Sequence, residues 1–239
     1  MSSPAVDLRL QEARRALRDA SAQLGLVAPP QPGRTQRTHV PTGVPGLDAF
    51  LGGGLPRGRV SELTGGRSSG RMAALLHLLG SATAAGEPAA LVDVPDALDA
   101  DGLAPEECAR LLWVRPGTLR TALRCADVIL DGGGFAVVAL YLAGVDAERA
   151  GGRSIPASAW TRLVQRAEKA STALLAVTDG SDPRMRPGAH AAVGLEVRRR
   201  RAHWLGEGGL LDGAELELRV LRARGAQAGH GIFTLGGSP

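Results

Sequence analysis

The chain has 239 residues, 44% of them hydrophobic, which suits one α/β domain with a sizeable core and a short appendage. A formal net charge of +4, carried almost wholly by arginine, permits acidic partners without requiring them, while an aromatic content of 3% supplies few platforms for stacking single-stranded bases. The cysteines, Cys108 and Cys125, are too few for a disulfide framework; no charged-then-apolar leader opens the chain and no apolar run is long enough for a bilayer, so the expected setting is the reduced cytoplasm, with nucleoid association as an extension of it.

Residues 1–26 read as one amphipathic helix. Ser3-Pro4 supplies a cap and a first-turn proline, and Leu10, Ala13, Leu17, Ala20 and Leu24 recur at alternating spacings of three and four. Residues 27–37, rich in proline and polar side chains, form a linker. The leucine seam of Leu10, Leu17 and Leu24 is a candidate partner-binding surface; a helix folded back on its own core is the equal alternative.

Residues 38–239 form the core. A strand over Arg59–Leu63 leads into a glycine-rich loop and a helix from Arg71 to Ala85. Strands follow at Ala89–Val94 and Leu111–Val114, then a helix near Leu119–Leu130, a buried strand at Phe135–Leu142, a helix from Ala157 to Ser171 and a strand at Ala173–Thr178. Such alternation implies βαβ units and a mostly parallel central sheet with helices on both faces. After Gly188, the stretches Gly194–Leu205, Ala214–Arg224 and Gly231–Leu235 read as consecutive strands, an antiparallel extension of that sheet.

The glycine-rich loop, Gly65-Gly66-Arg67-Ser68-Ser69-Gly70-Arg71-Met72, has the outline of a P-loop, G-x-x-x-x-G-K-[ST]. Arg71 stands where the lysine reaches the terminal phosphates, and Met72 where a hydroxyl holds Mg²⁺. A thioether is a soft ligand for a hard cation, and a guanidinium is larger and planar. Lys169, the chain's single lysine, falls far downstream in a helix. The backbone of Gly65, Gly66, Ser68, Ser69 and Gly70, with Arg67 and Arg71, retains the means for weak ATP or phosphate binding; the competing reading is that the glycines only make the strand-to-helix turn.

Upstream, Pro41-Thr42-Gly43-Val44-Pro45-Gly46-Leu47-Asp48 runs into Leu51-Gly52-Gly53-Gly54-Leu55-Pro56-Arg57-Gly58-Arg59 and then the loop. This combination resembles the RecA-type recombinase core from about Thr38 onward, and within it the wording Leu55 to Leu63 is most similar to the ImuA group, RecA-like accessory proteins of damage-induced mutagenesis. In that resemblance Pro95 occupies the place of the glutamate that activates water, and Leu140 that of the aspartate supporting Mg²⁺; Asp93 and Asp96 are poorly spaced substitutes. With Arg71 and Met72, these losses imply a pseudo-ATPase: no catalytic residue, no metal and no cofactor.

The resemblance also implies that the loops after the fourth and fifth core strands face DNA. Here those loops carry Arg149 and Arg153, and Arg184 and Arg186, each beside acids that reduce the attraction to phosphate. Arg198-Arg199-Arg200-Arg201 is the densest basic run, read either as a guarded sheet edge or as a phosphate or acidic-protein contact. Trp113, Trp160 and Trp204 are expected to pack, and no histidine has metal-ligand spacing to a cysteine. The function so implied is a silent adaptor in DNA-damage tolerance, whose partners are RecA recombinase, an ImuB-like inactive polymerase relative, an error-prone replicative-type polymerase and DNA phosphates. The alternatives are a divergent DNA-dependent ATPase or recombination mediator, and a SulA-like cell-division inhibitor.

Overall fold

A computed structural model describes residues 38–99, 105–145, 150–151, 154–205, 210–224 and 231–235, together with Arg15 and Asp19. The seam leucines Leu10, Leu17 and Leu24, the 27–37 linker, and Arg149 and Arg153 lie outside the described residues.

Eight strands form the main sheet in the order β10-β9-β8-β3-β7-β6-β4-β5. Its parallel part comprises β3 (Val60–Thr64), β4 (Ala89–Asp93), β5 (Leu111–Val114), β6 (Val137–Tyr141) and β7 (Ala173–Thr178), and β8 (Ala191–Leu205) joins it in parallel beside β3. The strands β9 (Leu210–Ala223) and β10 (Ile232–Leu235) then add antiparallel. Strands β3, β4, β6 and β7 are buried along their whole length, which is why β4, β6 and β7 read as near-continuous apolar runs rather than alternating ones, whereas β3 buries Ser61, Glu62 and Thr64.

Side-chain parity divides the core into two layers. Leu63, Leu91, Ala139, Tyr141, Leu175, Leu195 and Leu216 face α2 (Arg71–Ala84). Val60, Val92, Val138, Leu140 and Ala176 face α4 (Leu119–Gly132) and α5 (Ala157–Ala170), with Trp160 filling the space between. The last two helices are clasped by Asp127, which is 7% exposed and accepts from Arg162 Nε at 2.7 Å, with Arg166 reaching both Asp127 and Asp131. Thr118 caps α4 through the Thr121 N–H.

Four short elements escape periodicity because none is long enough to show it. The pair β1 (His39–Val40) and β2 (Leu55–Pro56) forms a separate antiparallel ribbon around α1 (Pro45–Phe50). Gly54, at φ +116°, makes this ribbon possible, since the Val40 carbonyl occupies the space a Cβ would take. One turn of helix, α3 (Pro105–Cys108), precedes β5.

Candidate functional site

Parallel strands end together, and their carboxyl ends gather the chain's polar groups on one rim. Thr64 lies opposite Thr178, and Asp93 opposite Tyr141, so the glycine-rich loop after β3 faces the ends of β4, β6 and β7. In open α/β sheets this rim is where ligands bind.

The loop itself is closely fitted. Gly70 caps α2 at φ +90°, and Leu216 of β9 occupies the position a side chain at Gly70 would take. The Val197 carbonyl of β8 would lie 2.7 Å from a Cβ on Gly65. Ser68 holds φ +58°, and Ser69 Oγ is buried without a hydrogen-bond partner among the described residues. Gly66, Arg67 and Ser68 are exposed, while Met72 is half-buried and packs on the α2 layer.

Arg71 turns back into the loop. Its guanidinium donates to the Gly65 carbonyl of the same loop and hydrogen-bonds the Tyr141 hydroxyl. Burial raises the Tyr141 hydroxyl above its ordinary value and the Arg71 charge partly offsets the rise. Asp179, just beyond β7, is raised by burial but held below the usual carboxylate range by hydrogen bonds from Ser181 and Gly144 and by the Arg71 charge. The cation at the loop thus meets a carbonyl and a phenol of this chain, and its field reaches the Asp179 carboxylate without a direct pair.

Leu140 and Tyr141 take opposite faces of β6. The Leu140 side chain is fully buried in the layer under α4 and α5, on the sheet face opposite the loop, and Tyr141 is the β6 residue that faces Arg71. Alternation along a strand decides it, since a shift of one residue reverses the face. A tyrosine at this place still gives a divalent cation no carboxylate.

Of the two nearby acids, Asp93 is engaged through one carboxylate oxygen, its Oδ1 being buried without a partner among the described residues, and Asp96 faces an arginine. Asp93 is buried, and its Oδ2 accepts from the Ala97 and Leu98 N–H groups at 2.8 and 2.9 Å, capping the turn that contains Pro95. Asp96, at φ +58°, faces Arg115 at 3.8 Å.

Of the loop arginines, Arg184 folds onto its neighbour Asp182, with Nη2 2.9 Å from Oδ2. Arg186 makes a two-pronged pair with Glu62, at 2.7 and 3.0 Å. Glu62 lies in mid-β3 and is 1% exposed, so Arg186 anchors the loop after β7 to the strand that feeds the glycine-rich loop. Sequence reasoning missed this pair, whose members are 124 positions apart; a glutamate inside a buried apolar strand was the available signal, since such a charge demands a partner. The expectation that all three tryptophans pack holds for Trp160 at 2% exposed and for the half-buried Trp113, over which Arg115 lies 4.7 Å from the ring centroid. It fails for Trp204, which is 61% exposed.

Comparison with known proteins places these features in a family setting. The model of the RecA N-terminal domain matches residues 17–149. Protein RecA of Kineococcus radiotolerans is 41% identical over 104 residues, covering 42% of this chain and 30% of the relative. Protein RecA of Mycobacterium tuberculosis is 41% identical over 104 residues, covering 13% of the relative, and that of Frankia casuarinae is 39% identical over 104 residues, covering 30%. The matched stretch therefore spans less than a third of the length of these relatives.

Proposed function

The chain belongs to the RecA N-terminal domain family, and from that premise we propose that it is a catalytically silent RecA-like adaptor in DNA-damage tolerance, of the ImuA kind. The observation that carries this reading is Arg71, whose guanidinium turns back onto Gly65 and Tyr141 of its own chain. Phosphoryl transfer depends on positioning and on neutralising charge at the phosphates, with Mg²⁺ held by oxygen ligands and a base orienting the nucleophile. Met72, Pro95 and Tyr141 supply neither the ligands nor the base. A protein that acts by contact needs the fold without the reaction. Its partners, on the same resemblance, are RecA, an ImuB-like polymerase relative and an error-prone replicative-type polymerase, with the Leu10, Leu17 and Leu24 seam as the docking element.

Phosphate release with ATP, Mg²⁺ and DNA tests the silent site: it is expected to stay at the no-protein level, and release abolished by Arg71→Ala would establish a working ATPase instead. Co-purification tests the adaptor. The full chain is expected to retain RecA from DNA-damaged cells, and a chain lacking the residues before Pro29 to lose it while remaining folded by circular dichroism.

A further inference from the structure

β8 pairs with β3 only from Ala191 to Glu196, and its overhang beyond that point runs on against β9, so the antiparallel strands project from the parallel sheet as a ribbon. Alternation gives the ribbon two faces. Val193, Leu195, Leu216, Leu218 and Val220 turn inward and join the layer under α2. The opposite layer, under α4 and α5, takes no side chain from β8, β9 or β10 among the described residues. The outer face therefore carries Glu196, Arg219 and Ile232 in one row across the three strands, without an apolar layer over them.

Charge on that face is balanced higher up and unbalanced at the base. Glu196 holds Arg198 at 3.0 Å, and Glu217 lies 3.6 Å from Arg219 and 3.8 Å from Arg200. At the base, a register shift beside Gly194 brings Leu221 and Arg222 to the same side of the sheet, since a Cβ on Gly194 would lie 3.8 Å from the Cβ of each. Arg222 donates to the Gly188 carbonyl at 2.8 Å, and Arg224 to the Ala189 carbonyl at 2.9 Å. Carbonyls fix these guanidinium groups without neutralising them, and neither arginine has an acidic partner among the described residues. Glu62, the acid in register with Gly194, is taken by Arg186. The Nε atoms of Arg219 and Arg222 are buried without a hydrogen-bond partner among the described residues. Beside these cations stand Leu221 and Ile232, 45% and 56% exposed, with Ile232 opposite Arg219 in the ladder.

We propose that the base of this outer face docks an acidic segment of a partner protein, whose apolar side chain covers Leu221 and Ile232 while its carboxylates meet Arg222 and Arg224. Guanidinium groups already held in place lose little freedom on pairing with carboxylates, and exposed aliphatic side chains gain from being covered. Aliphatic side chains offer nothing to a phosphate chain, and the exposed aromatic of the ribbon, Trp204, lies at its far end, which favours protein over nucleic acid. A second copy of the same face would set like charges together. Residues 1–26 set Asp7, Glu12 and Asp19 against Arg9, Arg14, Arg15 and Arg18, so they bring no net negative charge. The inference deepens the adaptor reading and rests on it for its cellular setting. ATP hydrolysis would overturn that reading and leave this surface standing, whereas failure of the surface would leave the silent rim untouched.

The test is anisotropy of a fluorescein-labelled peptide repeating Glu-Glu-Leu, titrated with the full chain beside matched peptides repeating Glu-Glu-Ser and Lys-Lys-Leu. The first is expected to bind, the second more weakly and the third not at all. Arg222→Ala with Arg224→Ala, and separately Leu221→Ser with Ile232→Ser, should each weaken binding about tenfold. Because the arginines also hold the turn at Gly188 and Ala189, circular dichroism is read for every variant, and Arg222→Lys with Arg224→Lys, which keeps the charge, should retain most of the affinity. No binding by the wild type, equal binding of the serine peptide, or unchanged affinity in the leucine–isoleucine variant would overturn the proposal. Displacement of the peptide by an oligothymidylate of equal charge would also overturn it and assign the face to nucleic acid.

Discussion

The parallel and antiparallel parts of the sheet treat their arginines in opposite ways. Around the parallel strands, Arg71 and Arg186 are drawn inward and satisfied by Gly65, Tyr141 and Glu62. On the overhang of β8, the run from Arg198 to Arg201 stays exposed, and Arg199 and Arg201 make no ion pair among the described residues, although Glu215 stands opposite Arg201. On the adaptor reading proposed above, the difference means that the rim where RecA-like proteins would do chemistry serves structure, while the exposed cationic groups lie on the projecting ribbon.

Removing an inward arginine should therefore cost stability, and removing an outward one should not. Arg186→Ala leaves the Glu62 carboxyl at 1% exposure without its arginine, and the expected loss is about 3 kcal/mol in urea unfolding. A loss near zero would show that water or another donor replaces the guanidinium and would erase the contrast.

A second test sharpens the inward side. The chain has one tyrosine, so an ultraviolet-difference titration reads Tyr141 alone. Its midpoint is expected above the ordinary value near ~10, because burial outweighs the opposing pull of Arg71. Arg71→Met should raise it further, and an unchanged midpoint would place Arg71 elsewhere. Since the folded state holds this proton more tightly than the unfolded state, its contribution to stability is complete below about pH 10 and is lost as pH rises through the folded midpoint.

The smallest effect belongs to the ribbon. Arg198→Ala together with Arg200→Ala should leave the urea midpoint unmoved, since their pairs with Glu196 and Glu217 are solvent-screened. A marked fall would make the ion-pair ladder a structural feature and weaken the case for a contact surface.

Much of the fold was legible because burial writes itself into runs of apolar residues. Leu111–Val114 and Ala173–Thr178 coincide with their strands, and the helix over Arg71 to Ala85 is one residue longer than the observed one. Less legible were features set by distant partners. Leu140 and Tyr141 differ only in which face they present, and apolar content does not encode parity at a strand's end. Trp204 sits in a strand pattern that suggests packing, yet whether such a strand is covered depends on the length of β3, more than a hundred positions earlier. The departures from the P-loop pattern were visible in Arg71 and Met72, but Tyr141, which meets Arg71, comes from the end of another strand.

Thermal melting of the full chain with and without millimolar ATP and Mg²⁺ tests most directly whether the rim has been given over to structure. Ligand that binds the native state raises the melting temperature by mass action. With Arg71 engaged by Gly65 and Tyr141, and Leu216 seated over Gly70, the two curves should coincide. A clear Mg²⁺-dependent rise that disappears in Arg71→Ala would contradict this and return the loop to nucleotide binding.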